Sequence, residues 1–222
     1  MNRFAQVAAA AALAVAGLAS GAHAGPAWEF TTPGNSYTDG VWDFATAFTV
    51  NTTVTASGLG YYADPVTGNA DGNAVALYQC ADTACSTTAT LLASTNVTNT
   101  YPLTGHFRYV TISPITLVAG TSYEVAGVSN ADNYTWGDPG FATDPAITIL
   151  NDGGSPPNSE RWELIGTPDF LNFFQTDIAG LDGFWGPNVF LGTPSFAPEP
   201  ASLALLGVAL AGLGLIRRRK TA

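Results

Sequence analysis

Short runs of alternating side chains, each closed by Gly, Pro, Asn or Asp, recur along the first half of the chain. Phe44, Thr46, Phe48 and Val50 fall on one face of a strand with Ala45, Ala47 and Thr49 opposite, because successive strand residues point to opposite sides. The same reading predicts strands over 28–31, 54–62, 74–79, 91–97, 107–113 and 122–128. Gly58 and Gly60 inside the 54–62 run mark a bulge or a close backbone approach. Phe107, Tyr109 and Thr111 alternate with Arg108, Val110 and Ile112, so both faces of that strand carry bulk and a central position suits it. Beyond Asn130 the alternation thins: 147–150, 162–165 and 189–191 are strand candidates, and 170–178 reads as irregular.

Amphipathic helical periodicity is missing from this region, while aromatic and β-branched residues are plentiful. The fold class expected is therefore all-β, an antiparallel β-sandwich rather than a closed barrel, in one domain over 25–192. That length is enough to bury a real core.

Both ends depart from the pattern. Residues 1–24 read as a signal peptide: Arg3 is the positive region, 8–19 the apolar run, and Ala22-His23-Ala24 the small-x-small cleavage site. At the other end, a linker over 193–200 carries Pro198, Glu199 and Pro200. An uncharged stretch over 201–216 follows, then a basic tail over 217–222 with Arg217, Arg218, Arg219 and Lys220. As a helix, 201–216 would reach roughly 24 Å, short of a hydrocarbon core of ~30 Å; the expectation is a single, short transmembrane helix, with a buried core helix as the alternative. The four cations are of the kind that stay on the cytoplasmic side.

This tail resembles the PEP-CTERM sorting signal of Gram-negative bacteria. The resemblance implies recognition by an exosortase near Pro198-Glu199-Pro200 and tethering to the inner membrane through the helix before transfer to the cell surface or beyond. It also implies association with exopolysaccharide or biofilm. Residues 44–128 further resemble a jelly-roll-like family of exported bacterial domains without assigned function, on runs such as Leu59-Gly60-Tyr61-Tyr62 and Phe107-Arg108-Tyr109-Val110.

Charge and chemistry narrow the function. Arg108 and Arg161 are the only cations between residues 25 and 197, against sixteen Asp and Glu, so this region carries about −14. Such a surface repels phosphates, which excludes a nucleic-acid partner. Cys80 and Cys85, an even and closely spaced pair in an exported chain, are expected to form a disulfide clamping a loop between two strands. His106 is the only histidine after Ala24, so His-based triads and multi-His metal sites would depend on that single residue.

Two Asx-rich loops are candidates for calcium, a cation that takes six to eight oxygens. Asp64, Asn69, Asp71 and Asn73 form one, and Asn130, Asp132, Asn133 and Asp138 the other; no other cofactor is indicated. Trp136 and Trp185, in loop-like contexts, are candidate platforms for a sugar ring, with core packing as the alternative for both. The expectation is an exported, non-enzymatic surface or matrix protein. The alternative readings are a carbohydrate-binding module and, behind it, a hydrolase using two carboxylates.

Overall fold

The computed structural model describes residues 24–150, 161–164, 166–172 and 183–192. The predicted signal peptide up to residue 23, the transmembrane segment and the sorting residues Pro198, Glu199 and Pro200 lie outside them, as does the basic tail from Arg217 to Lys220. The strands in chain order are β1 (Gly25–Pro26), β2 (Trp28–Glu29), β3 (Asn35–Tyr37), β4 (Asp43–Val50), β5 (Val54–Tyr62), β6 (Asn73–Cys80), β7 (Ala89–Val97) and β8 (Leu103–Thr104). They continue as β9 (Phe107–Leu117), β10 (Ser122–Val128), β11 (Tyr134–Trp136), β12 (Ala142–Thr143), β13 (Ile147–Ile149), β14 (Arg161–Glu163) and β15 (Pro187–Leu191).

All pairings are antiparallel. One sheet runs β1-β15-β5-β9-β8; the other runs β13-β4-β10-β6-β7, with β14 also on β4. Among the described residues there are also two ribbons, β3–β11 and β2–β12. Alternation decides what each face buries. Phe48 and Val50 of β4, Leu59 and Tyr61 of β5, Val75 and Leu77 of β6, Val125 of β10 and Val189 of β15 share one core. Each such side chain contributes about 1.5–3 kcal/mol on burial.

The all-β expectation holds, and the structure corrects one placement. β8 pairs only Phe107 and Arg108 of β9, so the rest of β9 is an edge and not a central strand. The bulk on its second face covers a shallow groove shared with Leu92 and Ala93 of the other edge strand, β7. The sheets approach there, and the array is nearly closed and barrel-like on that side. Both glycine expectations are met: the β5–β9 register shifts between Ala56 and Gly58, and a Cβ on Gly60 would come within 2.5 Å of the Tyr109 ring.

The second sheet's other face carries the small residues Ala45, Ala47 and Ala126, packed by Leu171 and by the Cys80–Cys85 disulfide. Buried charge is concentrated here. The Arg161 guanidinium donates to Glu124 Oε2 at 2.6 Å and to the carbonyls of Cys85, Leu171 and Ala84. Glu124 Oε1 accepts from the Leu171 amide at 2.7 Å. Burial pushes Glu124 up to about 7 against the pull of Arg161, and burial pushes Asp43 on the same face up to about 9. Arg161 thereby ties the disulfide loop, β10 and the 166–172 segment together and fixes β14 against β4.

Candidate functional site

Fixing β14 has a consequence on its opposite face. Trp162 stands across from Phe44 of β4, one residue out of phase with the buried Arg161. Tyr134 of β11 pairs with Tyr37 of β3, and Trp136 with Asn35. These elements meet at the ends of the sheets around a cleft of about 420 Å³ lined by Tyr37, Asp39, Trp42, Phe44, Tyr134, Trp136, Trp162 and Phe184. Seven of the eight are aromatic.

The rings support one another. Trp42 meets Trp162 edge to face at 4.9 Å, and Phe44 packs at 4.5 Å from Tyr134 and 5.5 Å from Phe184. Trp136 lies 5.6 Å from Tyr134 and 5.8 Å from Phe184. Asp39 is the one charged side chain in the lining among the described residues. Its Oδ1 accepts from the Trp42 indole at 2.7 Å and faces the Tyr134 hydroxyl at 3.5 Å. Burial, with Asp39 beside it, pushes the Tyr134 phenol up to about 12, so it remains a hydroxyl that can donate. The arrangement offers flat apolar faces with a few polar groups at the rim, the chemistry of a site that stacks rings rather than one that transfers protons.

Of the two tryptophans expected as sugar platforms, Trp136 is half-buried and in the cleft, whereas Trp185 is fully buried. Trp185 stacks on Phe141 at 4.3 Å and meets Trp28 at a tilt at 5.8 Å, and its backbone pairs with Thr135. Its neighbour Phe184 takes the cleft position instead, because adjacent residues of an extended chain face opposite sides. Trp185 is therefore a core residue.

The two Asx-rich loops come together, but chiefly to hold each other. Asp64 accepts from the Ser36 hydroxyl, from the amides of Val66 and Thr67 at 2.8 Å each, and from Asn133 at 3.2 Å. Burial alone would raise its pKa, but the Ser36 hydroxyl and those amides outweigh it and hold Asp64 down to about 2. Asn69 donates to the Tyr62 carbonyl and to Asn73, and Asn73 donates to the carbonyls of Val128 and Ser129. Asp132 receives the amides of Ala70 and Asp71, Asn130 donates to the Gly72 carbonyl, and Asp138 receives the Gly34 amide. Asp71 offers an exposed side chain at the knot's edge. Among the described residues no three His, Cys, Asp or Glu side chains converge in a metal-ligating group.

His106 is held by Glu29, with Nδ1 at 2.8 Å from Oε1 and its backbone amide on Oε2, and it stacks on Phe30 at 4.6 Å. It lies outside the cleft lining. The disulfide loop is closed by Asp82, which receives the amides of Ala84, Ser86 and Thr87. The Thr87 hydroxyl is the largest of the influences holding the Asp82 carboxyl down to about 2.

Comparison with known proteins bears on the other end of the chain. Residues 197–220 match the family model for the PEP-CTERM protein-sorting motif. The chain carries a PEP-CTERM signal. That motif implies an exported protein, processed by an exosortase and sorted to the cell surface. No curated protein and no solved structure matches the chain. The PEP-CTERM motif thus says where the protein goes, and the cleft is what the described domain offers there.

Sequence reasoning named Trp136 as a ring platform, named Trp185 where its neighbour Phe184 takes that place, and missed Tyr37, Asp39, Trp42 and Trp162. Those four sit on three segments that only tertiary pairing joins. One local signal existed: Tyr37 lies between Ser36 and Thr38, and Trp162 between Arg161 and Glu163, large aromatics with polar neighbours on both sides.

Proposed function

We propose that this protein is a non-enzymatic component of the cell surface or extracellular matrix that holds exopolysaccharide through the aromatic cleft of its acidic domain. The observation that carries the reading is the ring of seven aromatic side chains around one cleft. A sugar presents an apolar face that stacks on an aromatic ring, while Asp39 and the hydroxyls of Tyr37 and Tyr134 are placed for its polar edge. A non-enzymatic role is supported by the lining, which among the described residues holds a single carboxylate where glycoside hydrolysis uses two flanking ones. The reading needs no calcium: Asp64 and Asp132 already accept from neighbouring hydroxyl, amide and side-chain donors.

The same proposal takes 25–192 as one jelly-roll-like sandwich, supported by the pairing of β4 with β10 and β5 with β15 across long sequence distances. It takes 201–216 as the membrane helix that tethers the protein until the exosortase acts at Pro198-Glu199-Pro200.

Pull-down on insoluble polysaccharides, with the exported protein and its Trp136→Ala variant, tests the reading. The variant is expected to lose roughly tenfold in affinity, about 1.4 kcal/mol for one stacked ring. Failure of the parent protein to bind any neutral, basic or acidic polysaccharide, or binding that Trp136→Ala leaves intact, would sink it.

A further inference from the structure

Building on the sugar-binding reading, we infer that the cleft takes a chain of deacetylated amino sugar, whose ammonium groups lie over the ring faces beside Asp39. The lining holds a carboxylate and aromatic rings but no Lys, Arg or His. The domain's two cations are engaged elsewhere: Arg108 donates to the Tyr101 carbonyl at 2.8 Å and Arg161 is buried against Glu124. A uronic acid chain entering this cleft would meet Asp39 with no counter-charge, inside a domain whose sequence carries about −14.

Asp39 is oriented for a cation. The Trp42 indole and the Tyr134 hydroxyl hold Oδ1, while Oδ2 accepts no hydrogen bond from the described residues and the side chain is exposed at the rim. The aromatic faces add to this, since the negative face of a ring attracts an ammonium within about 6 Å and Trp does so best. A neutral sugar fits less well. Its hydroxyls need several partners on leaving water, and the lining supplies few beyond Asp39 and two tyrosines. An amino sugar replaces part of that requirement with a charge that the rings and the carboxylate satisfy together.

Calorimetry on the exported protein, at low salt and mildly acidic pH where the amine is protonated, tests the assignment. The probes are short glucosamine oligomers, their N-acetylated counterparts and oligogalacturonate. Glucosamine oligomers are expected to bind about tenfold tighter than the acetylated ones, with the preference shrinking as salt is added. Asp39→Asn retains an acceptor for the Trp42 indole; it should lower glucosamine affinity toward that of the acetylated chain without moving the melting temperature. Equal binding of the two chains, lost in Trp136→Ala, overturns the charge assignment and leaves the sugar-binding reading standing. Preference for oligogalacturonate overturns the charge assignment likewise, and absence of binding by every probe overturns both.

Discussion

Phe184 and Trp185 are adjacent in sequence and end in opposite surroundings. Trp185 lies in the core with Trp28, Phe141 and Phe48, fully excluded from water; Phe184 joins Trp42, Trp136, Trp162 and the tyrosines around an open cleft. The residue types are the same in both clusters. Strand parity separates them, along with what stands behind each. The core rings pack against aliphatic side chains from both sheets. The cleft rings rest on one another and on a carboxylate, and β14 is held in place by buried charge on the far side of the sheet. An aromatic ring thus stabilises the fold in one cluster and is offered to a ligand in the other.

The sharpest break of this comparison is Trp185→Ala. Removing a fully buried indole costs roughly 3–5 kcal/mol through lost transfer energy and the cavity left behind. Denaturant unfolding should show that loss; a change below about 1 kcal/mol would mean that Trp185 is not a core residue. Next in size is Arg161→Met. Stripping one partner from a buried pair costs about 3 kcal/mol, whereas replacing both, as in Arg161→Met with Glu124→Leu, should recover much of it. Because Arg161 fixes β14, the single variant should also disturb Trp162, read as a shift in tryptophan fluorescence. Stability unchanged by Arg161→Met would show that the cleft does not depend on the ion pair.

These two substitutions also mark what the sequence made legible. Most long strands could be read directly, because alternation in runs such as 54–62 and 122–128 has no other economical explanation, and their observed bounds agree. The Cys80–Cys85 pairing was legible from spacing and the exported setting. The cleft was legible only in part. Tyr134-Thr135-Trp136 and Phe184-Trp185 announce rings in short segments, but nothing local says which ring of an adjacent pair faces in. That depends on the bridge between Thr135 and Trp185, a contact across fifty residues. Arg161 is a surface cation by type, and Glu124 alternates with apolar residues as a solvated face would. Only the 166–172 segment, a strap laid over the second sheet, buries them.

That strap also gives the domain a pH dependence. Asp43 has an ordinary value of 3.8 and a folded value of about 9, because burial penalises its charged form; its Oδ2 receives the Asp169 amide at 2.7 Å. The folded state therefore holds a proton that the unfolded chain releases across this window. Stability should fall as pH rises from about 4 toward 9, by at most ~1.4 kcal/mol per pH unit, and level off above that. Glu124 acts in the same direction up to about 7, while Asp64 acts oppositely, its contribution lost as pH falls toward 2. The domain should be most stable in mildly acidic solution. Asp43→Asn keeps a neutral acceptor for the Asp169 amide, so its melting temperature should depend less on pH and exceed that of the parent in alkaline buffer. An unaltered pH profile would mean that Asp43 is ionised in the fold.

The smallest effect on stability is expected where the effect on binding is largest. Trp136 is half-buried and sits on a three-residue strand whose partner, β3, is itself exposed. Truncating it to Ala removes ring contacts with Tyr134 and Phe184 but opens no closed cavity, since water can enter the cleft. The expected cost is about 1 kcal/mol or less, against the several expected for Trp185. Measured side by side, the two alanine variants form a double dissociation: one unfolds readily, and the other folds but releases polysaccharide. If Trp136→Ala instead destabilises as much as Trp185→Ala, the cleft rings are an extension of the core, and the division between rings that support the fold and rings that meet a ligand fails.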